Sequence, residues 1–323
     1  MQKFRMLMAM TLAMLVSLTG CMRAAEDAPE RGSEGSGEVA IPDAVDQQDG
    51  LPILRVYLTE EETVERMDIE TYLMGVVAGE MKNDWPLEAL KAQAILARTF
   101  TLKFLETKSS GYEGADISTD VTEAQAYNAG MINENVRRAV EETRGVVMAY
   151  GNSLPQAWFH AHSGGRTEVP SVALEYREDP AYLKSVPSQE SEKAPESAAH
   201  WTAEFTAEEV GRACAACGVE TGDCREIRIG EKGVSGRAKD FVINGKSVSA
   251  PSFRIQIGPE KLRSTLIEEV RMENGKVIFT GRGFGHGVGM SQWGAYQLAE
   301  SGATAQSIIS KYYQGVRFVG LWE

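Results

Sequence analysis

From residue 51 onward the apolar positions switch repeatedly between two periods. "LPILRVYL" (51–58) has the alternation and composition of a strand. "DIETYLMGVVAGE" (68–80) spaces its apolar residues as a helix does, behind Asp68, a side chain suited to an N-cap. "MKNDW" interrupts that pattern, and Pro86 suits the first turn of a second helix, where a missing N–H costs nothing. The second helix runs through "PLEALKAQAILARTFTLKFLE", with Leu87, Leu90, Ala94, Ala97 and Thr101 along one face. The two helices meet at a corner, and Glu80 stands on it.

Farther on, "GVVMAY" and "LPQAWFHA" read as strands joined across Gly151-Asn152, and "HSGGRTE" as a loop. Residues 185–200, "SVPSQESEKAPESAAH", are too polar for core and predict an exposed connection. "WTAEFTAEEVGRAC" predicts a strand and then a helix opened by a Thr206/Glu209 capping box. "REIRIG", "AKDFVIN", "FRIQIG" and "KVIFTG" predict short strands, with tight turns at Asn244-Gly245 and Asn274-Gly275. A glycine-rich loop (281–289), a helix, a turn at Ser301-Gly302 and a second helix complete the chain. No internal repeat is present. The expected class is α+β: a single extended unit of mixed helices and short strands over 51–323, with an insertion at about 185–250.

The N-terminal end changes the picture. Lys3 and Arg5 precede an apolar run from Met6 to Leu18, shorter than the roughly 20 residues a spanning helix needs, so residues 1–20 read as an export signal. Leu18-Thr19-Gly20-Cys21 resembles a lipobox, which implies lipidation of Cys21; an ordinary secretory signal or a short membrane anchor is the plainer alternative. Residues 21–50 are acidic, rich in Gly, Ser and Pro, and poor in large apolar groups, the composition of a flexible linker. A hydrophobic content of 43% and a charged content of 24% exclude wholesale disorder. The net charge of -13, with no basic cluster, argues against a nucleic-acid partner.

Several residue groups invite chemistry. Gly281, Gly283, Gly285, Gly287 and Gly289 fit neither G-x-G-x-x-G nor a P-loop, so nucleotide binding is not indicated. Alternating glycines instead let the backbone approach another strand or a flat ligand such as a sugar ring. His286 among them is either a ligand contact or a structural hydrogen-bonder. His160 and His162, two apart on a predicted strand, make half of a metal site, and no G-x-S-x-G elbow supports Ser163 as a nucleophile. Cys214, Cys217 and Cys224 leave three states open: a local disulfide, free thiols, or a zinc knot with His200 as fourth ligand. Glu80 is the sharper candidate. A carboxylate beside Ala78, Gly79 and Met81 loses hydration, which favours its protonated form and suits it to general-acid work.

Four stretches together resemble the stage II sporulation protein D and amidase-enhancer family of cell-wall proteins: "YLMGVVAGEMKNDWPLEALKAQAILARTFTL" (72–102), "WFHAHSGGRT" (158–167), "YLKSV" (182–186) and "GRGFGHGVGMSQWGAYQLAESGATAQSIISKYY" (281–313). They span nearly all of the chain after residue 50, in the family's order. The resemblance implies a lytic transglycosylase that cuts between N-acetylmuramic acid and N-acetylglucosamine in peptidoglycan and leaves a 1,6-anhydro end, with Glu80 as the catalytic acid and no cofactor. Arg98, in "ARTF", is then expected to position substrate directly or through a neighbour. Tyr182 and Lys184, on one side if "YLK" is extended, are expected to bind the glycan, with Ser163, Gly164, Gly165, His286, Ser291 and Gln292 as weaker candidates carried by the motifs. Some relatives build a zinc site near an "ADICTD..HCQAY"-like segment. Here "ADISTDVTEAQAY" (115–127) has Ser118, Glu123 and Ala124 at those ligand positions, so no metal is expected there.

By the same resemblance the protein would act on peptide-free glycan strands during septal wall remodelling and engulfment in sporulation. It would be exported and held on the outer face of the cytoplasmic membrane, the mother-cell membrane facing the forespore. The implied partners are the stage II sporulation protein P amidase and stage II sporulation protein M. The rival expectation from another class is a non-catalytic amidase enhancer that binds cell wall or an amidase.

Overall fold

The computed structural model describes residues 38–323. The signal, Cys21 and most of the expected linker lie outside the described residues. Mixed helices and mainly antiparallel strands make the fold α+β. The chain divides into two compact units: the first holds residues up to Trp158 together with Leu298–Ser310 and Gly315–Glu323, the second Phe159–Gln297 and Lys311–Gln314.

In the first unit, β1 (Gln47–Gln48), β2 (Leu51–Leu58) and β3 (Thr63–Asp68) form an antiparallel sheet, and β4 (Ile117–Ser118) joins β2 in parallel. Alternation along β2 puts Leu54, Val56 and Leu58 inside. α1 (Ile69–Glu80) follows β3 directly; Asp68 caps it by accepting from the Thr71 amide at 3.0 Å. α2 (Leu87–Thr107) begins one residue after Pro86. It is buried over most of its circumference, not on one face, because helices and strands surround it and its alanines allow them close. α3 (Glu134–Glu141), capped by Asn133, packs on α1 and α2, and β5 (Val146–Ala149) pairs antiparallel with the strand Arg317–Gly320.

The second unit contains two three-stranded antiparallel sheets. Lys276–Arg282 is central between Ile267–Glu273 and His200–Thr206, and Asp240–Ile243 is central between Ile227–Ile229 and Lys246–Ser249. Phe205, Phe241, Phe253 and Phe279 meet in their shared core, the Phe241–Phe279 and Phe241–Phe253 pairs edge-on at 5.6 and 5.4 Å. The helix Ala207–Ala216 opens with the expected Thr206/Glu209 capping box, and the Asn-Gly turns at 244–245 and 274–275 have the positive φ of hairpin turns. Cys214, Cys217 and Cys224 are free thiols packed into or against the core; burial pushes Cys217 and Cys224 up to about 11.

Four expectations need correction. The expected single unit with an insertion at 185–250 is instead two units, and the chain enters the second at Phe159. The linker expected to reach residue 50 gives way to structure earlier, since Val39 and Val45 are buried and β1 pairs with β2. The hairpin across Gly151-Asn152 shrinks to one bridge, Tyr150 with Ser153; Pro155 has no N–H to extend the ladder, and Phe159–His160 pairs with Met290–Ser291 instead. "FRIQIG" lies in a helix, Ala250–Ile257, because Ser249 caps it and Pro251 sits in its first turn. Among the described residues no helix is long and apolar enough to cross a membrane.

Candidate active site

Glu80 is the last residue of α1. Met81 leaves the helix in extended conformation, its amide donating to the Val77 carbonyl at 3.0 Å. The corner that follows is held by three asparagines. Asn83 Nδ2 donates to the Met131 carbonyl, Asn133 Nδ2 to the Asn83 carbonyl, and Asn135 Nδ2 to the carbonyls of Asn83 and Trp85, at 2.8–3.1 Å. Turn carbonyls that would otherwise need water are satisfied, so the end of α1 is fixed in place.

The Glu80 side chain is 7% exposed. Its Oε1 accepts from the Ala126 amide at 2.8 Å, a charge-assisted bond when the carboxylate is ionised. Gly79 makes the contact possible: a Cβ there would lie 2.7 Å from the Ala126 and Tyr127 backbone. Gly75, one turn earlier, lies beneath the Tyr127 ring, and its carbonyl accepts from Asn128 N at 2.9 Å. Tyr72 continues the face, its ring 5.8 Å from that of Tyr127. The Tyr72 hydroxyl is buried with no hydrogen-bond partner among the described residues, and burial, reinforced by Tyr127, Glu123 and Glu80, raises it well above an ordinary phenol.

Arg98 is fully buried in α2 and does not present its guanidinium to a ligand. Nη2 and Nε donate to the two carboxylate oxygens of Glu70 at 2.5 and 3.0 Å, and Nη1 to the Val146 carbonyl at 3.0 Å. Glu70 Oε1 also accepts from Gly145 N and Trp322 Nε1, at 3.0 and 2.9 Å. The expectation of direct substrate contact by Arg98 is therefore corrected: it ties α1, α2 and β5 together, so any effect on chemistry passes through Glu70 and the placement of α1. Glu70 was not singled out in the sequence, where it is one acid in the first turn of a helix.

The other candidates belong to the second unit. Ser163 and Ser291 are brought together by Glu190, which sequence reasoning missed: Ser163 Oγ donates to Oε1 and Ser291 Oγ to Oε2, the latter at 2.7 Å. Gly164 and Gly165 have φ of 74° and 109°, and their amides donate to His162 Nδ1 (3.1 Å) and Ser163 Oγ (3.0 Å). The neighbour that Gly283 approaches is backbone, since a Cβ there would lie 2.8 Å from the His162 carbonyl and His162 and Phe284 exchange both backbone bonds. His286 is 8% exposed, and its Nδ1 accepts from the Val288 amide at 3.0 Å, while His160 Nδ1 donates to the Val288 carbonyl at 3.0 Å. This pairing sets opposite tautomers in the two neutral rings. Burial, together with the charges of Arg254 and Arg237, pushes His286 down to about 3, and burial also lowers His160 and His162.

Among the described residues no group of three or more His, Cys, Asp or Glu side chains is arranged to hold a metal ion. Gln292 is buried at the first position of the helix Gln292–Glu300. Tyr182 and Lys184 do not share a side. Residue 182 lies in a turn and is buried against Tyr313, at 6.4 Å between rings, whereas Lys184 is exposed. The condition of an extended "YLK" is not met. Arg237 is a further residue that no motif signalled: fully buried, it donates to the Ser163 and Arg166 carbonyls at 2.8 and 3.0 Å and so sets the "HSGGRT" loop from within.

Comparisons with known proteins agree with the motifs. A family described as Stage II sporulation protein matches residues 57–150, and a domain of unknown function matches residues 169–289. Stage II sporulation protein D of Bacillus subtilis is 35% identical over 277 residues, covering 81% of this chain and 77% of that protein. Its counterpart in Bacillus amyloliquefaciens is 34% identical over 275 residues, with the same shares of 81% and 77%. The amidase enhancer of Bacillus subtilis is 29% identical over 288 residues, covering 75% of this chain and 39% of that protein. The chain belongs to the stage II sporulation protein D and amidase-enhancer family.

Proposed function

We propose that this protein is a peptidoglycan lytic transglycosylase with Glu80 as its general acid and base. The observation that carries the reading is a largely buried carboxylate at a braced helix end, aimed by a backbone amide, within the residues 57–150 that the family model matches. Protonated Glu80 gives its proton to the glycosidic oxygen as the bond from C1 of N-acetylmuramic acid breaks. The sugar's own 6-hydroxyl then closes on C1, and the Glu80 carboxylate takes the proton it releases. One carboxylate suffices because the substrate supplies the nucleophile that a two-acid glycosidase takes from water or from a second side chain. Proton and charge balance over the two steps, leaving a 1,6-anhydro end and a free 4-hydroxyl.

The proposed setting is wall remodelling at the septum and engulfment in sporulation, with the protein exported and held on the outer face of the cytoplasmic membrane by its N-terminal segment. An amidase of the stage II sporulation protein P type would strip stem peptides first, and stage II sporulation protein M would gather the pair. Within the second unit, Ser163, Gly164, Lys184, His286, Ser291 and Gln292 would contribute to glycan binding. Lys184 is the exposed cation among them, and Tyr182 would act through its packing on Tyr313.

Similarity to a protein named amidase enhancer favours a second reading, in which the chain binds wall or an amidase without cutting glycan. Incubation of the purified protein with peptide-free glycan strands, followed by mass spectrometry, separates the two. Anhydro-ended fragments from the wild type but not from Glu80→Gln are expected; intact strands with both proteins would leave the enhancer.

A further inference from the structure

The segment that reaches Glu80 is itself held by acids that have no part in the proposed chemistry. After α2 ends at Thr107, the chain loops out and returns through β4 to residues 120–128, and the loop is closed at its base by Glu123. Glu123 Oε1 accepts from Ser110 Oγ at 2.9 Å, and Oε2 accepts from the Gly111 amide at 2.6 Å. Asp120 braces the same turn: Oδ2 accepts from Tyr112 OH, and Oδ1 from the amide and hydroxyl of Thr122, each at 2.8 Å. The amides of Glu123 and Ala124 return to the Asp120 carbonyl at 3.0 Å.

Immediately beyond, each residue is spent on a helix. Ala124 is fully buried, Gln125 Nε2 donates to Thr101 Oγ1 of α2 at 3.2 Å, Ala126 N reaches Glu80, and Asn128 N reaches Gly75. The stretch crosses α1 where Gly79 leaves room for its backbone and Gly75 for the Tyr127 ring, so its height above the helix is set by direct contact.

We propose that Glu123 is a positioning residue for Glu80: by clamping residues 110–111 it holds residues 120–128 as a strap, whose Ala126 amide sets the orientation of the reacting carboxylate. The inference rests on the reading of Glu80 as the acid. Without the clamp, the Gly111 amide and Ser110 hydroxyl turn to water, the loop regains its conformational freedom, and the Ala126 amide samples positions that no longer aim Oε1. Because a reacting group misplaced by about 1 Å can cost about a hundredfold in rate, loosening the strap acts on kcat rather than on substrate affinity.

The test compares wild type, Glu123→Ala, Glu123→Gln and Glu80→Ala as full chains, by amide hydrogen exchange and by steady-state release of anhydro-ended fragments from peptide-free glycan. In Glu123→Ala, exchange at Ala126 is expected to quicken about tenfold or more while α1 amides such as Val77 keep their protection. In the same variant kcat falls about tenfold or more with KM within about twofold. Glu123→Gln retains one acceptor oxygen and should fall between, and Glu80→Ala should also deprotect Ala126. Unchanged exchange at Ala126 in Glu123→Ala, or quickened exchange with undiminished kcat, overturns the proposal, as does deprotection spread evenly over α1 and α2. If the wild type releases no anhydro fragments, the general-acid reading fails instead, and exchange at Ala126 still decides whether Glu123 governs that contact.

Discussion

Arg98 and Glu70 meet as a bidentate pair in the interior of the first unit, the guanidinium fully buried and Glu70 3% exposed. The pair lies 28 residues apart in sequence and joins the first turn of α1 to the middle of α2. The remaining polar atoms find the Val146 carbonyl, the Gly145 amide and the Trp322 indole, so the pair is hydrogen-bonded all round. A buried ion pair so satisfied is costly to break from one side, because the surviving charge stays inside. Arg98→Ala and Glu70→Ala are each expected to lose about 3–5 kcal/mol of stability, read as a lower urea midpoint. An exposed ion pair would contribute less than about 1 kcal/mol, so a loss that small would contradict the burial.

Gly79→Ala tests the approach of the strap to α1. On an open helix the substitution would stabilise by about 1 kcal/mol. Here the new Cβ would meet backbone 2.7 Å away, which cannot rotate aside. The expected sign is therefore reversed: a net loss of about 1–3 kcal/mol in denaturant unfolding. Anhydro-fragment release should fall as well, because the Ala126 amide is displaced from Glu80.

Stability should decline on mild acidification. His286 is pushed down to about 3, by burial first and then by Arg254 and Arg237, and burial, aided by His286 and Arg237, puts His160 well below its ordinary value. In the unfolded chain both rings titrate near 6.5, so below that pH the unfolded state binds protons that the native state refuses. Their contribution is fully present above 6.5 and is lost as pH falls from there toward about 3 for His286, at up to about 1.4 kcal/mol per pH unit for each ring. Urea midpoints at pH 7, 6 and 5 sample this window before most carboxylates titrate. A flat profile would mean that the two rings are not held neutral.

Glu190→Ala removes the acceptor shared by Ser163 and Ser291, leaving two fully buried hydroxyls to find other partners. A cost of about 1–3 kcal/mol is expected, read in denaturant unfolding. Faster amide exchange at Gly164 and Gly165 should accompany it, since the Ser163 hydroxyl that receives the Gly165 amide is no longer oriented.

Much of the local structure was legible because its causes lie within a few residues. Asp68 and Thr71, Thr206 and Glu209, and the Asn-Gly pairs each carry their whole hydrogen-bonding logic in a short window, and the structure reproduces them. The break after Glu80 is of the same kind. "FRIQIG" alternates as a strand would, but the Ser249 cap and Pro251, both just N-terminal to it, make it helix. Tyr182 and Lys184 part for a related reason, since the side on which each residue falls depends on a turn that periodicity does not reveal.

Most of the elements, the corner that carries Glu80 and the family are written in the order of residues alone, because these follow from short-range spacing and from long stretches of matched residues. Tertiary structure alone decided what those side chains touch. Glu80 finds its amide 46 residues away at Ala126, Arg98 turns inward to Glu70, and Ser163 and Ser291 share Glu190 across 27 and 101 residues. A hydrogen bond requires two groups within about 3 Å of each other, and for groups so far apart along the chain that proximity is set by packing, which no local pattern encodes.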